Sequence, residues 1–100
     1  MYKKYLIENF GNLHLSGLDL LARACELYSE GDRKFTYIYT KVARETGLSY
    51  QRVERNIRHY IDKSIKDNAE GKLTSKMHSF ANKEVVAAIV YEVKLNEFSF

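Results

Sequence analysis

Three arginines lie on one short stretch of the sequence at a spacing that suits binding to a polyanion. Arg52, Arg55 and Arg58 follow one another at intervals of three residues, and His59 comes directly after them. In a helix, residues three apart are neighbours on the surface. The planar guanidinium group of arginine forms bidentate pairs with phosphate and with the edge of guanine. A helix over this stretch would therefore present groups that suit a nucleic acid.

The same stretch carries an apolar stripe that would hold such a helix in place. Val53, Ile57, Ile61 and Ile65 recur at every fourth position. At roughly 100° per residue, Tyr60 joins this side and the arginines fall on the other. A solvated surface is the ordinary interpretation of a charged helix face, but the predominance of arginine over lysine favours a phosphate or base partner. We define the arginine face as Gln51, Arg52, Arg55, Arg58, His59 and Asp62.

The residues ahead of this helix predict a second helix and a tight turn. An apolar helical pattern over 35–46 is followed by Gly47, which suits a left-handed turn, and by Ser49, which suits the N-cap of a helix over 49–67. Two helices joined by a tight turn form a helix-turn-helix, which we predict at about 36–66. Many three-helix proteins that bind only other proteins share this pattern, so the pattern leaves both kinds of partner open.

The start of the second helix is where a helix-turn-helix places its base-reading side chains. A glutamine and a glutamate lie beside the arginines there. Arg52 and Arg55 could each bond the O6 and N7 atoms of guanine, and Glu54 could accept a hydrogen bond from a cytosine amino group. The predicted base-contacting residues are Gln51, Arg52, Glu54 and Arg55.

The remaining sequence predicts a single all-α domain of five to six helices over residues 1–100. The chain has no proline and five glycines, 45% of its residues are hydrophobic and 29% are charged, which is ordinary for a globular protein. Helical periodicity recurs over 2–10 and 16–30, with Ser16 as an expected cap, and in a closing helix that we expect Asn82 to cap. The polar stretch 68–81 reads as a connector.

Composition and motifs give no support to catalysis or to metal binding. Cys25 is the only cysteine, and we expect it to be a small buried hydrophobe rather than a nucleophile. The histidines His14, His59 and His78 lack metal-ligand spacing, and there is no glycine-rich phosphate loop. We therefore predict no enzyme activity, cofactor, metal or small-molecule substrate.

The sequence also lacks the features that direct a chain to a membrane. No stretch approaches the roughly 20 apolar residues of a membrane helix, and the N-terminus does not resemble a signal peptide. We expect a cytoplasmic protein with no membrane partner. The net charge of +3 permits a polyanionic partner without requiring one, so the position of the charges matters more than their sum.

One motif resembles a known family. "QRVERNIRHYID", over 51–62, is similar to the recognition-helix signature of the effector domain of stage zero sporulation protein A, the sporulation response regulator of endospore-forming Firmicutes. The segments "IENFGNLHLSGLDLLARACELY" and "NKEVVAAIVYEVKLN" resemble that family's opening segment and closing helix. The likeness covers nearly the whole chain and is most specific within the signature.

The resemblance implies sequence-specific binding to double-stranded DNA in transcription regulation. It implies that Arg52, Glu54 and Arg55 reach base edges, that Arg58 and His59 lie near phosphates, and that the domain binds tandem sites as a homodimer through its closing helix. Tyr50 beside the cap and Lys72 in the connector are further candidates for the DNA backbone. The predicted backbone-contacting residues are Ser49, Tyr50, Arg58, His59 and Lys72.

One departure from the family keeps a second hypothesis open. The family's regulator carries a phosphorylated receiver domain ahead of the effector domain, and these 100 residues contain only the effector part. We expect either a cut-out domain or a stand-alone relative. The alternative function is a protein-interaction or dimerisation module that keeps the fold without binding DNA, since the net charge is low and the closing helix is very apolar.

Overall fold

The computed structural model describes residues 1–66, 77 and 79–97. Within these residues the chain forms helices and no strand, which confirms the predicted all-α fold. Its helices are α1 Tyr2–Phe10, α2 Gly17–Ser29, α3 Phe35–Thr46, α4 Tyr50–Tyr60 and α5 Asn82–Glu97, with a π-helical extension of α4 at Ile61–Lys66. No helix in the described ranges is long and apolar enough to span a membrane.

Helix α2 lies at the centre of the molecule and contacts each of the other four α-helices. A helix that is apolar on nearly all sides must be surrounded by other elements. Cys25 is fully buried within α2, as predicted for a small hydrophobe, and burial raises the pKa of its thiol far above the ordinary value. The buried residues of α2 are Gly17, Leu18, Leu20, Leu21, Ala22, Ala24, Cys25 and Leu27.

The N-terminus of α2 fits against α4 because Gly17 has no side chain. A Cβ atom at Gly17 would lie 2.1 Å from the carbonyl oxygen of Asn56 and 2.7 Å from Cβ of Tyr60. The prediction that the preceding residue, Ser16, caps α2 is wrong. Its backbone is already helical, and its side chain makes no capping hydrogen bond, whereas a capping serine needs an extended backbone.

The prediction of a continuous α-helix over 49–67 is wrong after Tyr60, where the π-helical extension begins. An α-helix advances by about 400° in four residues, so an apolar stripe with a four-residue repeat drifts by about 40° at each step. The wider turn of a π-helix corrects this drift. As a result Ile61 and Ile65 are both fully buried, and the buried hydroxyl of Ser64 accepts a hydrogen bond of 2.6 Å from Asn12.

A bidentate ion pair joins helix α3 to α2. The Nε and Nη2 atoms of Arg23 lie 2.8 Å from the two carboxylate oxygens of Glu45. Arg23 also contacts Glu26 at 3.0 Å. The bonds from Arg23 hold the pKa of the Glu45 carboxyl below its usual value. These contacts fix α3 beside the central helix, and α3 in turn leads into α4.

Candidate nucleic-acid interface

A three-residue turn, 47–49, connects α3 to α4. Gly47 has φ 73° and ψ 14°, and its N–H donates to the carbonyl of Ala43 at 2.9 Å. Ser49 is extended, and its hydroxyl oxygen accepts the N–H of Arg52 at 3.1 Å. The predicted turn glycine and N-cap are therefore confirmed. Leu48, between them, is half-buried against the core, so the turn is packed as well as capped.

The first two turns of α4 present the predicted base-contacting side chains to solvent. Between these exposed positions, Val53 and Ile57 are fully buried, so the core side of the helix cannot rotate outward. Among the described residues, the guanidinium groups of Arg52 and Arg55 have no hydrogen-bonded or ionic partner. The exposed residues of the set are Gln51, Arg52, Glu54 and Arg55, and His59 is exposed one turn further along.

Tyr50 belongs partly to the packing between α3 and α4. It is half-buried, and its ring meets the ring of Tyr39 edge-on at 5.7 Å. Tyr39 meets Phe35 in the same way at 5.8 Å. Burial raises the pKa of Tyr39 to about 12. This aromatic row sets the position of the first turn of α4, and the contact of Tyr50 with a DNA backbone stays a prediction.

Arg58 differs from the other arginines of α4 because its guanidinium group bonds within the protein. Its Nε and Nη2 atoms donate to the carboxylate of Asp62, and Nη1 donates to the carbonyl of Phe80 and, at 3.4 Å, to Oδ1 of Asn82. These bonds hold the pKa of the Asp62 carboxyl below its usual value. Arg58 is half-buried, and its predicted contact with phosphate stays untested.

Asn82 does not cap α5, contrary to the prediction. The carbonyl of Ala81 opens that helix by accepting the N–H groups of Glu84 and Val85, each at 3.0 Å. The side chain of Asn82 points instead to α4, where Nδ2 donates to the carbonyl oxygen of Glu54 at 3.2 Å. Its partners lie 24 and 28 residues away along the chain, so no local sequence pattern could have indicated this contact.

An open cleft of about 550 Å³ lies between α3, α4 and the start of α5. It is lined by the aromatic residues Phe35, Tyr39 and Tyr50, and also by Arg55 and Arg58. Within the part of the chain that the structure describes, no three metal-binding side chains come together. Lys72 and His78 lie outside the described residues, and the backbone contact of Lys72 stays a prediction.

Comparison with known proteins places the chain in a family. The family model described as sporulation initiation factor Spo0A C terminal matches residues 4–93 of the 100-residue chain. The chain belongs to the Spo0A C-terminal family. This confirms the resemblance seen in the signature over 51–62. The Spo0A C-terminal family is a DNA-binding effector domain, and the chain is accordingly a member of a DNA-binding family that acts in transcription regulation. No curated protein and no solved structure gave a match.

Proposed function

We propose that the chain binds double-stranded DNA in a sequence-specific manner, with α3 and α4 acting as a helix-turn-helix and α4 entering the major groove. One observation carries the proposal: Gln51, Arg52, Glu54 and Arg55 are exposed together on the first turns of a capped helix whose opposite side is buried. Base-edge recognition requires side chains that reach outward from a rigid element.

Each of the four side chains has a chemical counterpart in the major groove. Arg52 and Arg55 suit guanine, because each can donate two hydrogen bonds to O6 and N7. Gln51 can bond N6 and N7 of adenine, and Glu54 can accept from the amino group of cytosine. These pairings support base contacts by all four residues, and such contacts would make specificity depend on several independent positions.

The DNA backbone is proposed to contact residues at both ends of this set. Ser49 accepts a bond inside the cap, and its hydroxyl proton remains able to donate to a phosphate. Tyr50 and the exposed His59 complete the set, together with Lys72. Arg58 is left out, because it donates to acceptors within the protein.

The regulatory role proposed for the chain follows from its family. We propose that residues 1–100 act as one non-catalytic effector domain inside the cell and regulate transcription, in sporulation as in the family. Tandem binding as a homodimer through α5 is part of this proposal. It is supported by Tyr91 and Leu95, which lie one turn apart on α5 and are 61% and 43% exposed.

The same two apolar residues favour a second candidate, a dimerisation module that does not need DNA. Exposed apolar side chains one turn apart on a helix suit a contact with a second protein surface. This candidate requires that association is insensitive to moderate salt, whereas DNA binding weakens steeply with salt because counterions are released.

A direct test starts from selecting bound sequences out of random duplex DNA and then compares two variants. Arg55→Ala should weaken binding to the selected duplex by about 1–3 kcal/mol and relax the preference at one base pair. Lys4→Ala is the control, because it removes one positive charge from an exposed position on α1. Equal binding by wild type and Arg55→Ala across the panel would contradict the assigned face.

A further inference from the structure

We propose that Asn82 is a positioning residue for DNA recognition, which fixes the base-reading part of α4 to the start of α5 and acts together with Arg58. The inference rests on the proposed function and deepens it. The contacts that carry it form what we call the latch: the side chains of Asn82, Arg58 and Asp62 and the carbonyl groups of Glu54 and Phe80.

The first contact of the latch lies directly beneath the base-reading residues. Nδ2 of Asn82 donates to the carbonyl oxygen of Glu54 at 3.2 Å. In an α-helix that oxygen accepts one bond from the N–H four residues on, and its second lone pair is available. Asn82 can therefore hold Glu54 without breaking the helix ladder, and it restrains the backbone between the side chains of Glu54 and Arg55.

The second contact of the latch is the guanidinium group of Arg58. It bonds Asp62 on one edge and reaches both Phe80 and Asn82 on the other. The rigid fork of arginine can satisfy several acceptors at once, which a lysine ammonium on a flexible stem does less well. Asp62 supplies the counter charge, so the positive charge of Arg58 is paired within the same molecule, at a partly exposed position.

Together these contacts tie three separate parts of the chain at one point on the flank of α4. Phe80 lies near the end of the connector, Asn82 begins α5, and Glu54 belongs to the proposed base-reading set. A recognition site holds its geometry to within about 0.5 Å only if its supporting contacts are fixed. Loss of the latch should therefore reduce the discrimination between base pairs more than it lowers the total affinity for DNA.

Asn82→Asp separates the latch from the stability of the fold. An aspartate oxygen can still accept from Arg58, but an aspartate cannot donate to the carbonyl of Glu54. A carboxylate in the first turn of α5 also favours that helix electrostatically, so the thermal unfolding temperature should not fall. Lys83→Gln is the matched control, because it changes the net charge by the same amount at the neighbouring exposed residue.

The measurement is the ratio of affinities for the selected duplex and for duplexes changed at one base pair. The base pair read through residue 54 is identified with Glu54→Gln. Asn82→Asp should reduce the affinity ratio at that base pair by about fivefold, the effect of one lost hydrogen bond, whereas Lys83→Gln should leave it unchanged. An unchanged ratio in Asn82→Asp, with specific binding by the wild type, overturns the latch alone. A wild type that binds no duplex overturns the proposed function.

Arg58→Ala provides a second measurement, independent of the first. If Arg58 contacted a phosphate, its replacement by alanine would reduce the magnitude of the slope of log K against log salt concentration by about 0.9. As a positioning residue, Arg58 should leave the slope unchanged and broaden the preference at the same base pair as Asn82→Asp. Arg58→Lys should not restore the preference. A slope reduced by about 0.9 with specificity intact assigns Arg58 to the phosphates and overturns its role in the latch.

Discussion

Arginines of one helix differ in what they can do because their surroundings differ. Arg52 and Arg55 are exposed without a partner among the described residues, while Arg58 donates to Asp62, to the carbonyl oxygen of Phe80 and to the amide oxygen of Asn82. Residue type and helical position predict the first two correctly as exposed groups. Helical spacing locates Asp62, four residues on from Arg58, but it does not locate Phe80 and Asn82, which lie 22 and 24 residues away.

At the same scale, Gly17 should be intolerant of any side chain. Gly17→Ala would place Cβ within 2.1 Å of the carbonyl oxygen of Asn56, and this backbone atom can move only if α4 moves. We expect the free energy of unfolding to fall by about 1–3 kcal/mol or more, as in other overpacked cores. The measurement is urea denaturation of the variant beside wild type.

Ser16→Ala is the control for this substitution. Ser16 is exposed and makes no capping bond, so its loss should change the stability by no more than about 0.5 kcal/mol. If Gly17→Ala were as stable as Ser16→Ala, the close approach of α2 and α4 would not hold.

At the scale of elements, the sequence predicts helices well where their ends have local signals. Gly47 and Ser49 mark the turn and the cap by their own chemistry, and both predictions are confirmed. Ser16 and Asn82 are also residue types that commonly cap helices, yet neither caps its helix. The backbone of Ser16 is already helical, and the side chain of Asn82 bonds to a distant residue of α4. The change to a π-helix after Tyr60 depends on packing against several other helices, which a local pattern does not contain.

The ion pair that joins α2 to α3 should make the free energy of unfolding depend on pH. Arg23 lowers the pKa of Glu45 in the folded state below the usual 4.5. The stabilisation is therefore present above that pH and is lost as the pH falls through the lower, folded-state pKa. Because the pair is partly exposed, its contribution should be about 0.2–1 kcal/mol.

The measurement is the difference in unfolding free energy between wild type and Glu45→Gln as the pH is lowered. The difference should be largest near neutral pH and should shrink below about pH 4.5. Glu30→Gln serves as the control, since Glu30 is exposed and has no ion pair in the described ranges. A difference that is independent of pH would show that Glu45 acts by packing alone.

At the scale of the whole molecule, the net charge of +3 says little about where a polyanion can bind. Acidic groups such as Glu45 and Asp62 are occupied by arginines of the same molecule. Arg52, Arg55 and His59 remain exposed on one side of α4. A polyanion at that side would meet these groups together with the exposed carboxylate of Glu54, so the placement of the charges matters more than their sum.

Self-association should involve the exposed side of α5. Leu95→Glu should weaken any dimer at least about tenfold, because an unpaired charge would be buried in the contact. Leu13→Glu, which alters an exposed apolar residue between α1 and α2, should have no effect. The measurement is the molar mass in solution over a range of concentrations, at two salt concentrations, with and without the selected duplex.

The outcome separates the two candidate functions. Mass that increases only with DNA and falls back at high salt fits a DNA-binding domain that pairs on tandem sites. The molar mass of a dimer, found at both salt concentrations and without DNA, fits the dimerisation module. A dimer that Leu95→Glu and Leu13→Glu affect equally would place the contact elsewhere than on α5.

Asn82 holds the carbonyl oxygen of residue 54 and leaves the carboxylate of Glu54 untouched. Any amino acid except proline at that position offers the same carbonyl to the same amide, within an unchanged helix. The hydrogen bond from Asn82 therefore does not depend on which side chain residue 54 carries. If residue 54 reads a base pair as proposed, exchanging this one exposed side chain should change the target site and leave the contact with Asn82 in place.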